Sequence, residues 1–196
     1  MPTATAVICY VAGYIVLIGF FVIERFVRQG EHTKDMSRGR FDRGSTTLIS
    51  IAMGVAFVVV PLAPLWNWLR IGPLLNVWVA VAGILLGLGG LVIRYAAFST
   101  LGRFFTRTLR QQSGHQLVTT GIYRRIRHPG YLSDIMIFVG VSLAMLNLVV
   151  LLIVIVMFIP AYAHRIRVEE QMLVEVFGQE YVAYQQTSKR LIPGVL

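Results

Sequence analysis

Residues 135–163 read IMIFVGVSLAMLNLVVLLIVIVMFIPAYA, and the topology of the whole chain turns on how this run is divided. A helix crosses about 30 Å of hydrocarbon in about twenty residues, at about 1.5 Å per residue. The run is too long for one untilted span and short for two. Asn147 is its only strongly polar side chain midway, so the run reads as a helical hairpin. One helix covers about 129–145 and the other about 148–164. The alternative is a single long tilted helix. The two readings leave the C-terminal tail on opposite sides of the bilayer.

Outward from this run, three more stretches have the length and apolar character of a span: 5–23, 44–69 and 71–94. The first has no basic residue ahead of it and no small-residue cleavage site, so it reads as a retained span rather than a signal peptide. Pro61 and Pro64 should kink or stop the second, and Trp66 and Trp68 then fall where an interfacial aromatic belt would lie. Gly83 and Gly87 stand at GxxxG spacing in the third, with Gly90 on much the same face. Such a stripe lets another helix approach closely, within the chain or across a dimer. The expected fold is all-α, a multi-pass transmembrane protein of about five spans.

Charge supports the hairpin. The chain has 196 residues, 56% hydrophobic and 14% charged, with eighteen basic residues against nine acidic. Arg25, Arg28, Lys34, Arg38, Arg40 and Arg43 follow the first span. Arg94, Arg103, Arg107, Arg110, Arg124, Arg125 and Arg127 follow the third, and Arg165, Arg167, Lys189 and Arg190 lie in the tail. Five spans bring all of these to one side and leave only Arg70 on the other, whereas four would split them. Cytoplasmic loops carry the Lys and Arg excess, so the N-terminus is expected outside and the C-terminus inside. Nucleic-acid binding is set aside because the aromatic residues lie inside apolar runs rather than beside a basic groove. The single cysteine, Cys9, offers neither a disulfide framework nor a thiolate cluster.

Polar residues gather in two segments, 101–127 and 165–196, which the hairpin returns to the same membrane face. Arg127-His128-Pro129 sets a proline in the first turn of the fourth span, where a missing amide hydrogen costs nothing. The free amides there would favour an anion. Lipid phosphate would satisfy them, so an interfacial-anchor role for Arg124, Arg125 and Arg127 stands beside a site role. Glu169 and Glu170 directly follow an apolar span, and Arg165 and Glu169 at i and i+4 suit an intrahelical ion pair as well as a binding site. Asp134 needs a partner among nearby arginines. His32, His115, His128 and His164 show no paired metal-ligand spacing, so no metal site is expected. Phosphate-cradling and dinucleotide fingerprints are absent.

Three motifs in order carry a family resemblance. They are Gly114-His-Gln-Leu-Val-Thr-Thr-Gly-Ile-Tyr-Arg-Arg-Ile-Arg-His-Pro-Gly-Tyr131, then Val168-Glu-Glu170 with Phe177-Gly-Gln-Glu-Tyr-Val-Ala-Tyr184, and the closing Arg190-Leu-Ile-Pro-Gly. The C-terminal half resembles the isoprenylcysteine carboxyl methyltransferase family, with its relatives the phospholipid N-methyltransferases. Residues 101–196 would form the methyltransferase core, and 1–100 three transmembrane helices with a basic first loop.

The resemblance implies a membrane-embedded methyltransferase using S-adenosylmethionine. By position, His115, Gln116, Leu117 and Val118 would line the cofactor pocket through backbone groups. Tyr123, His128, Pro129 and Tyr131 would continue it, and Glu169 would close the opposite wall. Thr108 falls on the cofactor wall in a loose stretch of the alignment. Gly130 replaces the larger residue often found before the tyrosine. Arg165 matches the position associated with the methyl acceptor.

Methyl transfer from a sulfonium is an in-line displacement in which the protein chiefly supplies alignment and a dry pocket. A carboxylate acceptor is already ionised, and an arginine can orient it. An amine would gain nothing from Arg165. The expected partners are the bilayer and a lipophilic acceptor, most simply a prenylated cysteine carboxylate. Phospholipid amine methylation and a non-catalytic membrane scaffold are the competing readings. The oligomeric state is left open.

Overall fold

The computed structural model describes residues 3–27, 42–74, 76–102 and 117–192. Seven α-helices occur among them: α1 (Thr3–Phe26), α2 (Ser45–Val59), α3 (Ala63–Trp68), α4 (Val77–Leu101), α5 (Pro129–Ala144), α6 (Leu148–Phe177) and α7 (Gln179–Thr187). A 3-10 turn at Gly121–Arg124 precedes α5. Three helices, α1, α4 and α6, are long and apolar enough to cross a membrane, and α2 and α5 are shorter apolar helices. The chain is an integral membrane protein of the multi-pass helical class.

Its helices show two faces. Along α6, Val150, Val154, Phe158, Ala161, Tyr162 and Arg165 are buried, while Leu152, Val156 and Ile159 are exposed. Along α4, Gly83, Gly87, Gly90 and Arg94 are buried, and Trp78, Leu85 and Val92 lie bare. Apolar area on that scale belongs in lipid rather than water. Inside the bundle, Phe20, Phe57, Phe138, Phe158 and Tyr162 form a chain of edge-on ring contacts at centroid spacings of 5.2–5.7 Å.

The glycine stripe packs within the chain. A Cβ on Gly83 would lie 2.5 Å from the Gly140 carbonyl of α5, and one on Gly140 would lie 2.5 Å from the Gly87 amide. Backbones this close leave no room for a methyl group. Gly87 also meets Val16 of α1, so both helices that flank α4 use the stripe.

The hairpin is present and turns where the lone amide stands. Met145 ends α5, Leu146 adopts φ 55°, and Asn147 starts α6 by accepting a hydrogen bond from the Val150 amide at 2.8 Å. This is ordinary N-capping, which favours Asn at that position. Fully buried, Asn147 also donates to Asn67 at 2.7 Å and to the Ile71 carbonyl at 2.8 Å. Asn67 in turn donates to Tyr10 and to the Met145 carbonyl. Backbone bonds from Leu74 to Leu146 and from Leu148 to Gly72 complete a clasp between this turn and the α3–α4 connection.

One boundary follows the sequence reading and two differ from it. The second apolar run is broken: α2 stops at Val59, ahead of Pro61, and the remainder is the short α3 with Pro64 in its first turn. The third span extends to Leu101, so Arg94 lies inside α4 rather than in the connector. There its guanidinium pairs with Glu24 of α1 and Asp134 of α5 and sits 4.1 Å from the Phe20 ring centroid. Tyr162 donates to the other Asp134 oxygen at 2.9 Å. Pairing and ring contact offset much of the cost of removing that charge from water. The last helix runs on past His164 to Phe177. Its thirty residues extend about 45 Å, beyond the thickness of the hydrocarbon. Pro160 interrupts one hydrogen bond within it without ending it. The extension carries Arg165, Glu169 and Glu170 beyond the buried aromatic core.

Candidate functional site

The connector before α5 and the tail after α7 meet directly. Arg127 donates its amide to the Lys189 carbonyl at 2.8 Å, His128 to the Arg190 carbonyl at 3.1 Å, and Lys189 to the Arg125 carbonyl at 2.9 Å. This is a short parallel pairing between extended segments. Gly178, at φ 55°, ends α6 and redirects the chain into α7, which delivers the tail. A left-handed conformation of that kind suits glycine.

Glu170 fastens the junction. Its carboxylate accepts from Arg127 Nε at 2.8 Å and Arg190 Nε at 2.9 Å, with His128 Nε2 at 3.4 Å. Arg127 also donates to the Ser188 and Gln185 carbonyls. A buried carboxylate among cations holds firmly because removing any partner strands a charge. Arg127 thus faces the protein, and the interfacial-anchor reading fits only the exposed Arg124 and Arg125.

The adjacent Glu169 faces the other way along α6, toward the start of α5. Tyr131 donates to Glu169 Oε2 at 2.6 Å, and Arg165 Nε donates to the same Tyr131 hydroxyl at 3.0 Å. The expected i to i+4 pair is therefore bridged through a phenol. His128 stacks on Tyr131, with centroids 5.6 Å apart and planes at 11°, and its Nδ1 lies 3.7 Å from Glu169. The residue before a proline is held out of the helical region. His128, at φ −124° and ψ 57°, accordingly turns its ring under the first turn of α5.

Of the residues singled out from sequence, His128, Pro129, Tyr131, Arg165 and Glu169 converge on one spot. Tyr123 borders them from the 3-10 turn. Burial, and then the Glu169 carboxylate, raises its hydroxyl well above the ordinary tyrosine value. Leu117 and Val118 are half-buried in the irregular segment ahead of that turn. Thr108, His115 and Gln116 lie outside the described residues. Tyr184 donates to the Tyr123 carbonyl and ties α7 to the turn, and burial pushes its own hydroxyl up to about 12. Tyr181 is buried beside the two glutamates. Its hydroxyl has no hydrogen-bond partner among the described residues.

Other contributors were missed in the sequence. Asp42, Ser45 and Thr46, at the entrance to α2, surround Arg165: its Nη1 lies 3.0 Å from the Ser45 and Thr46 hydroxyls and 3.4 Å from Asp42 Oδ1. Burial opposes ionisation of Asp42, but hydrogen bonds from Thr46 and Ser45 and the charge of Arg165 outweigh it. The carboxyl is held below its ordinary value. An Asp followed three and four residues later by Ser and Thr, just ahead of an apolar run, is a helix-start pattern. That pattern was the available signal, though it does not tell which distant residue the group will meet.

A model of the phospholipid methyltransferase family matches residues 78–180. Protein-S-isoprenylcysteine O-methyltransferase A of Arabidopsis thaliana is 34% identical over 120 residues, which are 60% of this chain and 61% of that protein. The protein-S-isoprenylcysteine O-methyltransferase of Saccharomyces cerevisiae is 39% identical over 106 residues, 53% of this chain and 44% of that protein. Among solved structures, a eukaryotic intramembrane Ras methyltransferase, the isoprenylcysteine carboxyl methyltransferase, superposes with a TM-score of 0.60 at 27% identity. That likeness covers 76% of this chain and 53% of the other. The matched part of the chain thus spans between 44% and 61% of the length of these relatives. The family match takes in α5, α6 and the glutamates, tyrosines and arginine that meet between them, and extends over more than half of the sequence. The chain belongs to the phospholipid methyltransferase family, and it is similar within it to the isoprenylcysteine O-methyltransferases.

Proposed function

We propose that this protein is a membrane-embedded methyltransferase that takes a methyl group from S-adenosylmethionine and esterifies the carboxylate of a lipophilic acceptor, a prenylated cysteine C-terminus above all. The observation that carries this reading is the Tyr131 hydroxyl, shared between Arg165 and Glu169. It sets a guanidinium suited to a carboxylate beside a carboxylate suited to a donor that is cationic and rich in hydroxyls.

The donor set fits such a cofactor. The half-buried Glu169 carboxylate, the stacked His128 and Tyr131 rings, and the unpartnered Tyr181 hydroxyl offer anionic, aromatic and hydrogen-bonding contacts. The free amides opening α5 at Pro129 complement a carboxylate. His128, Pro129, Tyr131, Tyr123, Glu169, Leu117 and Val118 would hold it, with Thr108, His115 and Gln116 assigned by resemblance. S-adenosylmethionine supplies a methyl group already activated on a sulfonium sulfur, so the new O–CH3 bond forms as the S–CH3 bond breaks with its electron pair going to sulfur. Arg165 would orient the acceptor carboxylate, and no general base is needed because that group is ionised. Alignment of the two reactants would supply much of the rate.

The positive-inside distribution supports a cytoplasmic site with the N-terminus outside. A lipid-like acceptor would then enter sideways from the bilayer while the soluble donor enters from the cytoplasm.

Incubating the detergent-solubilised protein with methyl-labelled donor, an N-acylated S-prenylcysteine and a lipid extract tests the reading. Alkali-labile label in the prenylcysteine is expected. Alkali-stable label in phospholipid would replace the acceptor with an amine, and no transfer at all would leave a scaffold. His128→Ala and Glu169→Ala should each abolish donor binding while the protein stays folded, as read by calorimetry and gel filtration. Wild-type affinity in both would reject this pocket.

A further inference from the structure

The turn at residues 42–46 lies ahead of the family match at 78–180, yet it docks on α6 around one residue. Arg43 donates to Gln171 at 2.9 Å, and its carbonyl lies 3.2 Å from His164 Nε2. Between these two fastenings, Asp42, Ser45 and Thr46 close on the Arg165 guanidinium. Asp42 is 2% exposed and Arg165 is 4% exposed. One Asp42 oxygen receives the Ser45 hydroxyl, the Thr46 hydroxyl and the Thr46 amide as well as facing Arg165. The other has no hydrogen-bond partner among the described residues. A helix start alone calls for one or two of these bonds. Loading one oxygen with every donor organises the group toward the guanidinium, while Tyr131 holds the guanidinium from its Nε side.

We propose that Asp42 is a positioning residue for methyl transfer: through Ser45 and Thr46 it fixes the Arg165 guanidinium in the orientation that receives the acceptor carboxylate. The assignment rests on the acceptor role proposed for Arg165. Arginine has several rotatable bonds, and its charge-assisted contact to a carboxylate is directional. A guanidinium free to rotate would bind the acceptor in many poses, few of them in line with the methyl group. Among the described residues Asp42 is linked to Glu169 of the donor wall through Arg165 and Tyr131 rather than by a direct contact, so its loss is expected to fall on the acceptor side.

The test measures two quantities in the full-length protein: donor Kd by calorimetry, and kcat/KM for an N-acylated S-prenylcysteine. Asp42→Leu should lower kcat/KM about ten- to a hundredfold, the scale of a slight misplacement, and leave donor Kd within about twofold. Asp42→Asn keeps an oxygen that can accept from Ser45 and Thr46 and should recover most of the loss. Wild-type efficiency in Asp42→Leu, or a loss of donor affinity in proportion to the loss of transfer, overturns the assignment. Should Asp42→Leu fail to fold, Thr46→Val removes one hydroxyl from Arg165 and reads the same quantity. Lower acceptor efficiency with donor affinity kept supports the assignment, and unchanged efficiency overturns it. If the unmodified protein transfers no methyl group to a prenylated acid, the proposed function falls and takes this assignment with it. If it does transfer and Asp42→Leu matches it, only the role of Asp42 is lost.

Discussion

The two ends of the α5–α6 hairpin are held by opposite chemistries. At the turn, Asn147, Asn67 and Tyr10 form a neutral network of amides and a phenol with backbone carbonyls. At the other end, Glu170 is gripped by Arg127, Arg190 and His128. Neutral groups can satisfy one another completely, so the first clasp loses little by burial. The charged clasp is strong only while complete, because each missing partner leaves a buried charge. The difference suits their tasks. One end fixes topology, and the other adjoins the residues proposed to hold the donor and the acceptor.

Breaking the charged clasp should do the most damage. Glu170→Ala strands Arg127, whose side chain is 8% exposed, and should cost about 3–5 kcal/mol in thermal unfolding while also weakening donor binding. A variant as stable as wild type would show that the junction is held by its backbone pairing alone. Asn147→Ala removes the cap of α6 and leaves Asn67 and the Ile71 carbonyl short of a partner, at about 1–3 kcal/mol. Donor affinity should be untouched, and an equal loss of affinity would mean that the two ends act as one unit. Ser188→Ala trims the charged end by a single hydroxyl that donates to the Tyr184 carbonyl at 2.6 Å. About 0.5–1.5 kcal/mol is expected. Salt gives the finest distinction. Raising it toward 1 M shortens the Debye length to about 3 Å, and should soften the partly exposed Arg190–Glu170 contact while leaving the amide clasp unmoved. Hydrogen exchange at residues near each end would register the contrast.

Much of this architecture can be read from residue order. A lone amide in a long apolar run marks the turn because a buried Asn must find partners, and the backbone groups at a helix start supply them. The motif residues His128, Tyr131, Arg165 and Glu169 meet because the hairpin folds their segments to one face. The remainder was hidden for identifiable reasons. Arg94 looked like the start of a basic loop, since its partners Glu24 and Asp134 are 70 and 40 residues away. The extension of α6 was obscured because polar residues after His164 resemble a loop at a membrane surface, although nothing there breaks a helix before Gly178. Asp42 is a long-range matter altogether, lying 123 residues from Arg165. Helix-start chemistry locates its turn but not its target.

The continuity of α6 carries a final consequence. Arg165 and Glu169 ride on the same rigid rod, one turn apart, and Pro160 marks the point below them where the hydrogen-bond ladder has a gap. Any bend there swings both side chains together and in the same sense. Under the proposed function, a shift of this helix would move the acceptor contact and the donor contact as one. On that reading a change of acceptor would come from the elements that surround α6, chiefly the turn at 42–46 and the lipid-facing walls.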